Sequence, residues 1–312
     1  MSSLIEQAAH RLEQLRQAGV EVPGTPPPRT ALGTHDAAPL QRVALEEVKA
    51  QAQPAVTSRQ VELDPAAMAA AGIITPNAPR SHLADQYRVI KRPLIRNATG
   101  KGAAVLRHGN LIMVTSALSG EGKTFTAINL AMSIAAERDH TVMLVDADVA
   151  RPSVPRILGF PPGPGLLDVL QGSVDMASVL LRTDIDALTV LPSGTPHPKA
   201  TELLASAAMG ELLDDIASRY ADRIVIFDSP PLLLTTEARV LATHMGQAVV
   251  VVQASKTLQA DVDRALATIE TCPVRLMLLN QARARAEGAS GYGYGYGYGD
   301  EYGYGHEARQ VA

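Results

Sequence analysis

From Leu111 onward the chain is a series of short apolar runs: "LIMVTSA", "TVMLVDA", "ALTVLPSG", "RIVIFDSPP", "QAVVVVQAS" and "VRLMLLNQ". Each reads as a strand buried on both faces, because the apolar residues are continuous rather than alternating. The stretches between them, Lys123–Arg138, Glu202–Arg219, Thr235–His244 and Leu258–Glu270, read as helices. Strands and helices in this alternation allow few folds. The expected one is an α/β fold with a mostly parallel sheet and helices on both faces. Ligands bind such sheets at the carboxyl ends of the strands, and that is where the polar motifs of this sequence fall.

The first motif, "ALSGEGKT", spans Ala117 to Thr124 between a strand at 111–116 and a helix from Lys123. It follows the phosphate-loop pattern G-x-x-x-x-G-K-[ST] except that Ala117 replaces the first glycine, a tolerable change if that position needs no positive φ. Ser119, Gly120, Glu121 and Gly122 would wrap backbone N–H groups around phosphates, with Phe125 beside them in the first helical turn. Lys123 would reach the β- and γ-phosphate oxygens, and Thr124 would offer its hydroxyl to Mg²⁺. A chance GxGK in a turn rarely has a strand before it, a helix after it and a threonine in place.

The second motif, "VMLVDADVARP", presents Asp146, Asp148 and Arg151 at a strand tip. A single βαβ unit joins this strand to the loop strand and is expected to set the two side by side. Carboxylates there can hold a metal and accept a hydroxyl proton. The third, "IVIFDSPP", ends a strand at Asp228, a place for a carboxylate supporting metal-bound water. Asn280 ends the last apolar run and is a candidate to read a nucleotide base. The GTPase base reader N-K-x-D is absent, and Leu118 stands where partition ATPases carry a second lysine.

Composition narrows the rest. Aromatic residues are 4% of 312, with no Trp and three Phe, so the core must be aliphatic. A formal charge of −4 argues against non-specific nucleic-acid binding as the main task. One cysteine, Cys272, excludes an intrachain disulfide framework and fits a reducing cytosol. No run approaches the ~18 apolar residues of a membrane span, and the N-terminus lacks the apolar core of a signal peptide. Residues 1–19 read as an amphipathic helix and 20–80 as a Pro/Ala-rich linker of weak order, with short helices around Leu40–Gln51 and Pro65–Ala71. Residues 81–281 read as the catalytic domain and 282–312 as a flexible tail.

That tail contains "GYGYGYGYGDEYGYG", which holds six of the eight tyrosines: Tyr292, Tyr294, Tyr296, Tyr298, Tyr302 and Tyr304. Without aliphatic periodicity it builds no core. Taken alone it is a sticky low-complexity segment. Taken with three phosphate-site motifs, it needs a chemical explanation.

"SALSGEGKT", "VDADVARPS", "FDSPP" and the Gly-Tyr run occur in the order found in the bacterial tyrosine autokinases of exopolysaccharide synthesis, which this chain resembles over roughly 81–305. "GLLDVLQGS" and "LTVLPSGTPHPKATELL" are also similar to family segments. "SHLADQYRVIKRPLIRNA" resembles the E-x-x-R-x-x-R segment used for subunit contact, here Asp85, Arg88 and Lys91. With the N-terminal helix, it looks most like the sub-family beside exosortase-linked polysaccharide loci. Two positions depart from the pattern: Ala150 stands where an arginine is common, with Arg151 one place later, and the contact segment begins with Asp85 rather than Glu.

The resemblance implies a P-loop kinase that uses ATP and Mg²⁺ to phosphorylate its own tail tyrosines in trans within a homo-oligomer. It implies Lys123, Asp146, Asp148 and Asp228 as catalytic residues, with Asp146 as base and with Thr124, Asp148 and Asp228 around the metal. It further implies a cytoplasmic protein recruited to the inner membrane face by a polysaccharide co-polymerase that activates it, and a tyrosine phosphatase that resets it. The alternative is a non-kinase ATP switch that recruits a partner through the tyrosine tail. From Asn280 to Tyr292 an unstructured chain spans roughly 20 Å root-mean-square and ~40 Å at full stretch, enough to reach a neighbouring subunit.

Overall fold

The computed structural model describes residues 59–77, 79–220 and 222–282. The expected helices at 1–19 and Leu40–Gln51, and the tyrosine tail, lie outside them.

Eight strands form one sheet: β1 (Gln60–Val61), β2 (Leu111–Ser116), β3 (Thr141–Asp146), β4 (Leu181–Thr183), β5 (Leu188–Leu191), β6 (Arg223–Asp228), β7 (Gln247–Gln253) and β8 (Val274–Asn280), in the order β1-β4-β5-β3-β6-β2-β7-β8. Every pairing is parallel except β4 with β5. All six residues of β2 are buried, as are five of the six in β3 and in β6. This is the burial on both faces that continuous aliphatic runs predict.

The carboxylates at the tip of β3 lie beside the loop as expected, but β3 does not adjoin β2. β6 is inserted between them and pairs with both. A crossover fixes that two strands are parallel and in the same sheet, but not that they are neighbours. The insertion brings Asp228 level with Asp146 in the β3–β6 register.

Helices α1 (Pro65–Ala70), α2 (His82–Ala98) and α3 (Lys123–Ala135) cover one face. From Thr126 to Ala135 every residue of α3 is buried, because the sheet lies beneath it and α2 packs across it. A helix between two layers needs a mostly apolar surface, and α3 carries only Thr126, Asn129 and Ser133 as polar residues in that stretch. Short helices α4 (Val154–Leu158), α5 (Leu166–Leu170) and α6 (Met176–Val179) follow β3. The single helix expected over Glu202–Arg219 is two, α7 (Ala200–Leu204) and α8 (Ala207–Arg219), because Ser206 caps the second by accepting from Met209 N–H at 3.3 Å. α8, α9 (Glu237–Ala242) and α10 (Gln259–Ala267) close the other face with Met209, Leu213, Ile216, Leu241 and Ala265.

Two features differ from a plain linker-plus-domain reading. Residues 59–77, placed by composition in the linker, are built into the domain: β1 pairs with β4, and Leu63, Met68 and Ile73 are buried. Their apolar residues are too sparse to stand out between prolines and alanines. The three residues expected at a subunit contact also do not share one environment. Asp85 and Arg88 are exposed and pair with each other at 2.5 Å. Lys91 is buried on α2, where its ammonium donates to Ser133 O at 2.5 Å and pairs with Glu137 at 2.7 Å. A buried ammonium needs such partners, and Lys91 finds them on and just beyond α3 in its own chain.

Candidate active site

Three strand tips and one loop meet at the carboxyl edge of the sheet. β2 runs into residues 117–122, and α3 begins at Lys123. Gly120 and Gly122 have φ of 85° and 94°, where a side chain is rarely accommodated. A Cβ on Gly122 would also lie 2.1 Å from Asn280 Nδ2. Ala117, by contrast, is fully buried and its backbone is outside the left-handed region, so glycine is not required there.

The loop is held from behind. Glu121 is buried, with Oε2 accepting from Leu118 N–H at 2.6 Å and Oε1 accepting from Gln253 N–H at 3.3 Å and from the Thr257 hydroxyl. Asn280 Nδ2 donates to Glu121 O at 2.9 Å, and Gln281 Nε2 donates to Gly120 O at 3.2 Å. The structure thus gives Glu121 and Asn280 a positioning task within the loop. Gln253, Thr257 and Gln281 share that task, and no local motif marks them, because the loop's supports come from distant β7 and β8.

Lys123 Nζ donates to the Asp148 carboxylate and lies 3.9 Å from Asp228 Oδ1. The Thr124 hydroxyl is 3.5 Å from Lys123 Nζ and 3.4 Å from Ser153 Oγ. Asp146 Oδ2 accepts from the backbone N–H groups of Ser153 and Val154, each at 3.1 Å. Among the described residues Asp146 Oδ1 and both oxygens of Asp228 have no hydrogen-bond partner, although they are buried. Burial, reinforced by the Asp228 carboxylate, pushes the Asp146 carboxyl up to about 7. Burial pushes Asp228 up to about 6 against the pull of Lys123.

Above these groups lies an open cleft of about 650 Å³ bordered by Ser119, Gly120, Lys123, Thr124, Phe125 and Asp148. Arg151, Arg156, Pro230, Pro231 and Leu234 line the rest of it. Asp146 and Asp228 lie under the cleft rather than in its wall. The site therefore gathers the loop, Lys123, Thr124 and all three aspartates into one place. It also includes Arg156 and Leu234, which stand outside the motifs and join the cleft only through the fold.

One lysine against three buried carboxylates is an imbalance that proton uptake or a second cation relieves. The orphaned oxygens of Asp228, beside the Thr124 hydroxyl and Asp148, are hard oxygen donors of the kind Mg²⁺ takes.

A family model described as "ParA: NUBPL iron-transfer P-loop NTPase" matches residues 107–279, the span from before β2 to the end of β8. Tyrosine-protein kinase YwqD of Bacillus subtilis (strain 168) is 33% identical over 205 residues, which is 66% of this chain and 83% of that protein. The chain belongs to the bacterial tyrosine-protein kinases, on a P-loop NTPase fold. Tyrosine-protein kinase wzc of Salmonella typhi is 31% identical to this kinase over 168 residues. That match covers 54% of the chain and 23% of wzc, so the kinase spans about a quarter of that longer relative. The chimerical protein CapA2B2 superposes with a TM-score of 0.56 at 25% identity, covering 72% of the kinase and 93% of the chimera. The VpsO kinase domain gives 0.51 at 25% identity over 65% of the kinase and all of that domain. Among the described residues of the kinase, no helix is long and apolar enough to cross a membrane.

Proposed function

We propose that this kinase transfers the γ-phosphoryl group of ATP to the tyrosines of its own tail, Tyr292, Tyr294, Tyr296, Tyr298, Tyr302 and Tyr304. The observation that carries the reading is the buried carboxylate set under a glycine loop that leads into Lys123, with a phenol-rich segment in the same chain. The loop amides of 119–125 and Lys123 hold the phosphates. Thr124, Asp148 and Asp228 hold Mg²⁺, which offsets the charge of the phosphate oxygens. When Lys123 turns from Asp148 to phosphate, the carboxylates below it are uncovered. Asp146, with one oxygen tied by Ser153 and Val154 and the other without a donor, takes the phenol proton. A carboxyl pushed up to about 7 is a better proton acceptor near neutral pH than an ordinary aspartate.

By the same reading the kinase is cytoplasmic and works as a homo-oligomer in which one subunit's tail enters a neighbour's cleft. Asp85 and Arg88, exposed on α2, contribute to the contact, and Lys91 supports it from within by fixing α2 on α3. A membrane polysaccharide co-polymerase recruits and activates the kinase, the modification regulates exopolysaccharide synthesis, and a tyrosine phosphatase reverses it. The wzc likeness and the superposition on a CapA2B2 chimera support the co-polymerase as a partner.

Mixing tests the chemistry. A Lys123→Met chain with an intact tail is incubated with ATP and an active chain whose six tail tyrosines are Phe. Phosphotyrosine on the Lys123→Met chain is expected. None on that chain while wild-type protein labels itself rules out transfer between subunits, and none on wild-type protein removes the tail as substrate.

A further inference from the structure

The nucleotide site accounts for the loop residues of the cleft but not for the rest of its lining. Arg151 and Arg156 belong to that remainder, both exposed. Among the described residues neither guanidinium is paired with a carboxylate. The one acid that lines the cleft is Asp148, and Lys123 already answers it. The lining thus carries a surplus of two arginine charges. Beside them Pro230, Pro231 and Leu234 form an apolar edge, with Leu234 60% exposed.

Resting on the reading that the tail is the substrate, we propose that Arg151 and Arg156 form an anion-reading rim that selects acidic and already phosphorylated stretches of tyrosine-bearing chain. Guanidinium forks suit carboxylates and phosphates alike, and the edge at Leu234 suits a phenol ring. The tail has matching chemistry. Asp300 and Glu301 lie between Tyr298 and Tyr302, and tyrosines recur at every second position from Tyr292 to Tyr298. In an extended chain, residues two apart share one face and lie ~7 Å apart. With one tyrosine in the cleft, a phosphotyrosine two places away is then offered to the arginines that line the same cleft. Labelling begins at Tyr298 or Tyr302 beside the acidic pair, and each new phosphate then anchors the chain for the next transfer.

Three peptides test this on a full-length kinase whose own tail tyrosines are Phe: GYGYGYGYGDEYGYG, the same with Asn-Gln for Asp-Glu, and the Asn-Gln peptide with phosphotyrosine at the position of Tyr302. The acidic peptide is expected to have a KM about 3–10-fold below the neutral one, and the phosphorylated one a KM at least as low. Arg151→Ala with Arg156→Ala is expected to bring the three KM values together while the KM for ATP stays within about 2-fold. Equal KM values for acidic and neutral peptides in the unaltered rim would overturn the proposal and leave the tail reading standing. So would a double variant that weakens ATP and keeps the peptide preference. A lower KM for the acidic peptide alone would limit the rim to carboxylates and refute the spreading order. If no peptide is labelled, the tail reading falls, and the rim's role with it.

Discussion

Asp146 and Asp228 are fully buried beneath the cleft, whereas Arg151 and Arg156 border the same cleft exposed to solvent. The aspartates are anchored at the ends of β3 and β6 and matched in register, while the arginines sit on the irregular segment and short helix that follow β3. Burial raises the cost of a charge and also the strength of its interactions. A floor built this way suits chemistry, which needs preorganised charge that does not move. A solvated rim suits recognition, which must form and release a flexible chain many times.

The comparison breaks most visibly at the floor. Lys123→Met or Asp146→Asn is expected to lower the rate of phosphotyrosine formation by roughly 10²–10³, the usual cost of one preorganised group at a site of developing charge. Anti-phosphotyrosine blotting over time reads the effect. Signal at the wild-type rate from either variant would remove that residue from the chemistry.

Asp228→Asn should separate activity from stability. Transfer is lost, yet the unliganded fold is expected to gain about 1–3 kcal/mol above pH 6, because a buried charge that Lys123 only partly answers is removed. The sign follows from a folded-state carboxyl at about 6, above its ordinary value. The wild-type fold holds that proton at low pH and loses stability as pH rises from about 4 through about 6. The gain should therefore shrink toward zero near pH 4 in urea melts of metal-free protein. A variant less stable than wild type at pH 8 would show that Asp228 is compensated after all.

Glu121→Ala tests the support of the loop. It leaves the Leu118 N–H and the Thr257 hydroxyl without their acceptor, and Gln253 N–H with Thr257 Oγ1 alone. A loss of about 1–3 kcal/mol in stability and roughly 10-fold in ATP affinity is expected, measured by melting and by calorimetry. Unchanged nucleotide affinity would mean that Asn280 and Gln281 hold the loop unaided. The smallest effect belongs to the rim: Leu234→Ser should leave stability within ±0.5 kcal/mol while raising the peptide KM by about 2-fold. A clear drop in melting temperature would move Leu234 from rim to core.

The floor was legible in the sequence, and the rim only at Arg151. Lys123, Thr124 and the three aspartates stand at fixed places relative to continuous aliphatic runs, and local chain geometry alone carries such residues to a sheet edge. Arg156 and Leu234 come from different segments, separated by β4, β5 and β6, and only the strand order brings them to one cleft. The same order defeated the expected β2–β3 neighbour pair, since β6 arrives from more than 75 residues later in the chain than β3. β8 shows the opposite error. "VRLMLLN" reads as a run buried on both faces, yet Met277 and Leu279 are 65% and 66% exposed, because its position at the sheet edge leaves one face uncovered.

The far end of β8 has one more consequence. Asn280 and Gln281 hold the backbone of Glu121 and Gly120, and the chain that carries the tyrosines continues from the very next residue, Ala282. The two residues that lead into that chain are therefore also supports of the phosphate loop. Under the proposed transfer, the segment offered as substrate starts at the place where the chain braces its own nucleotide loop.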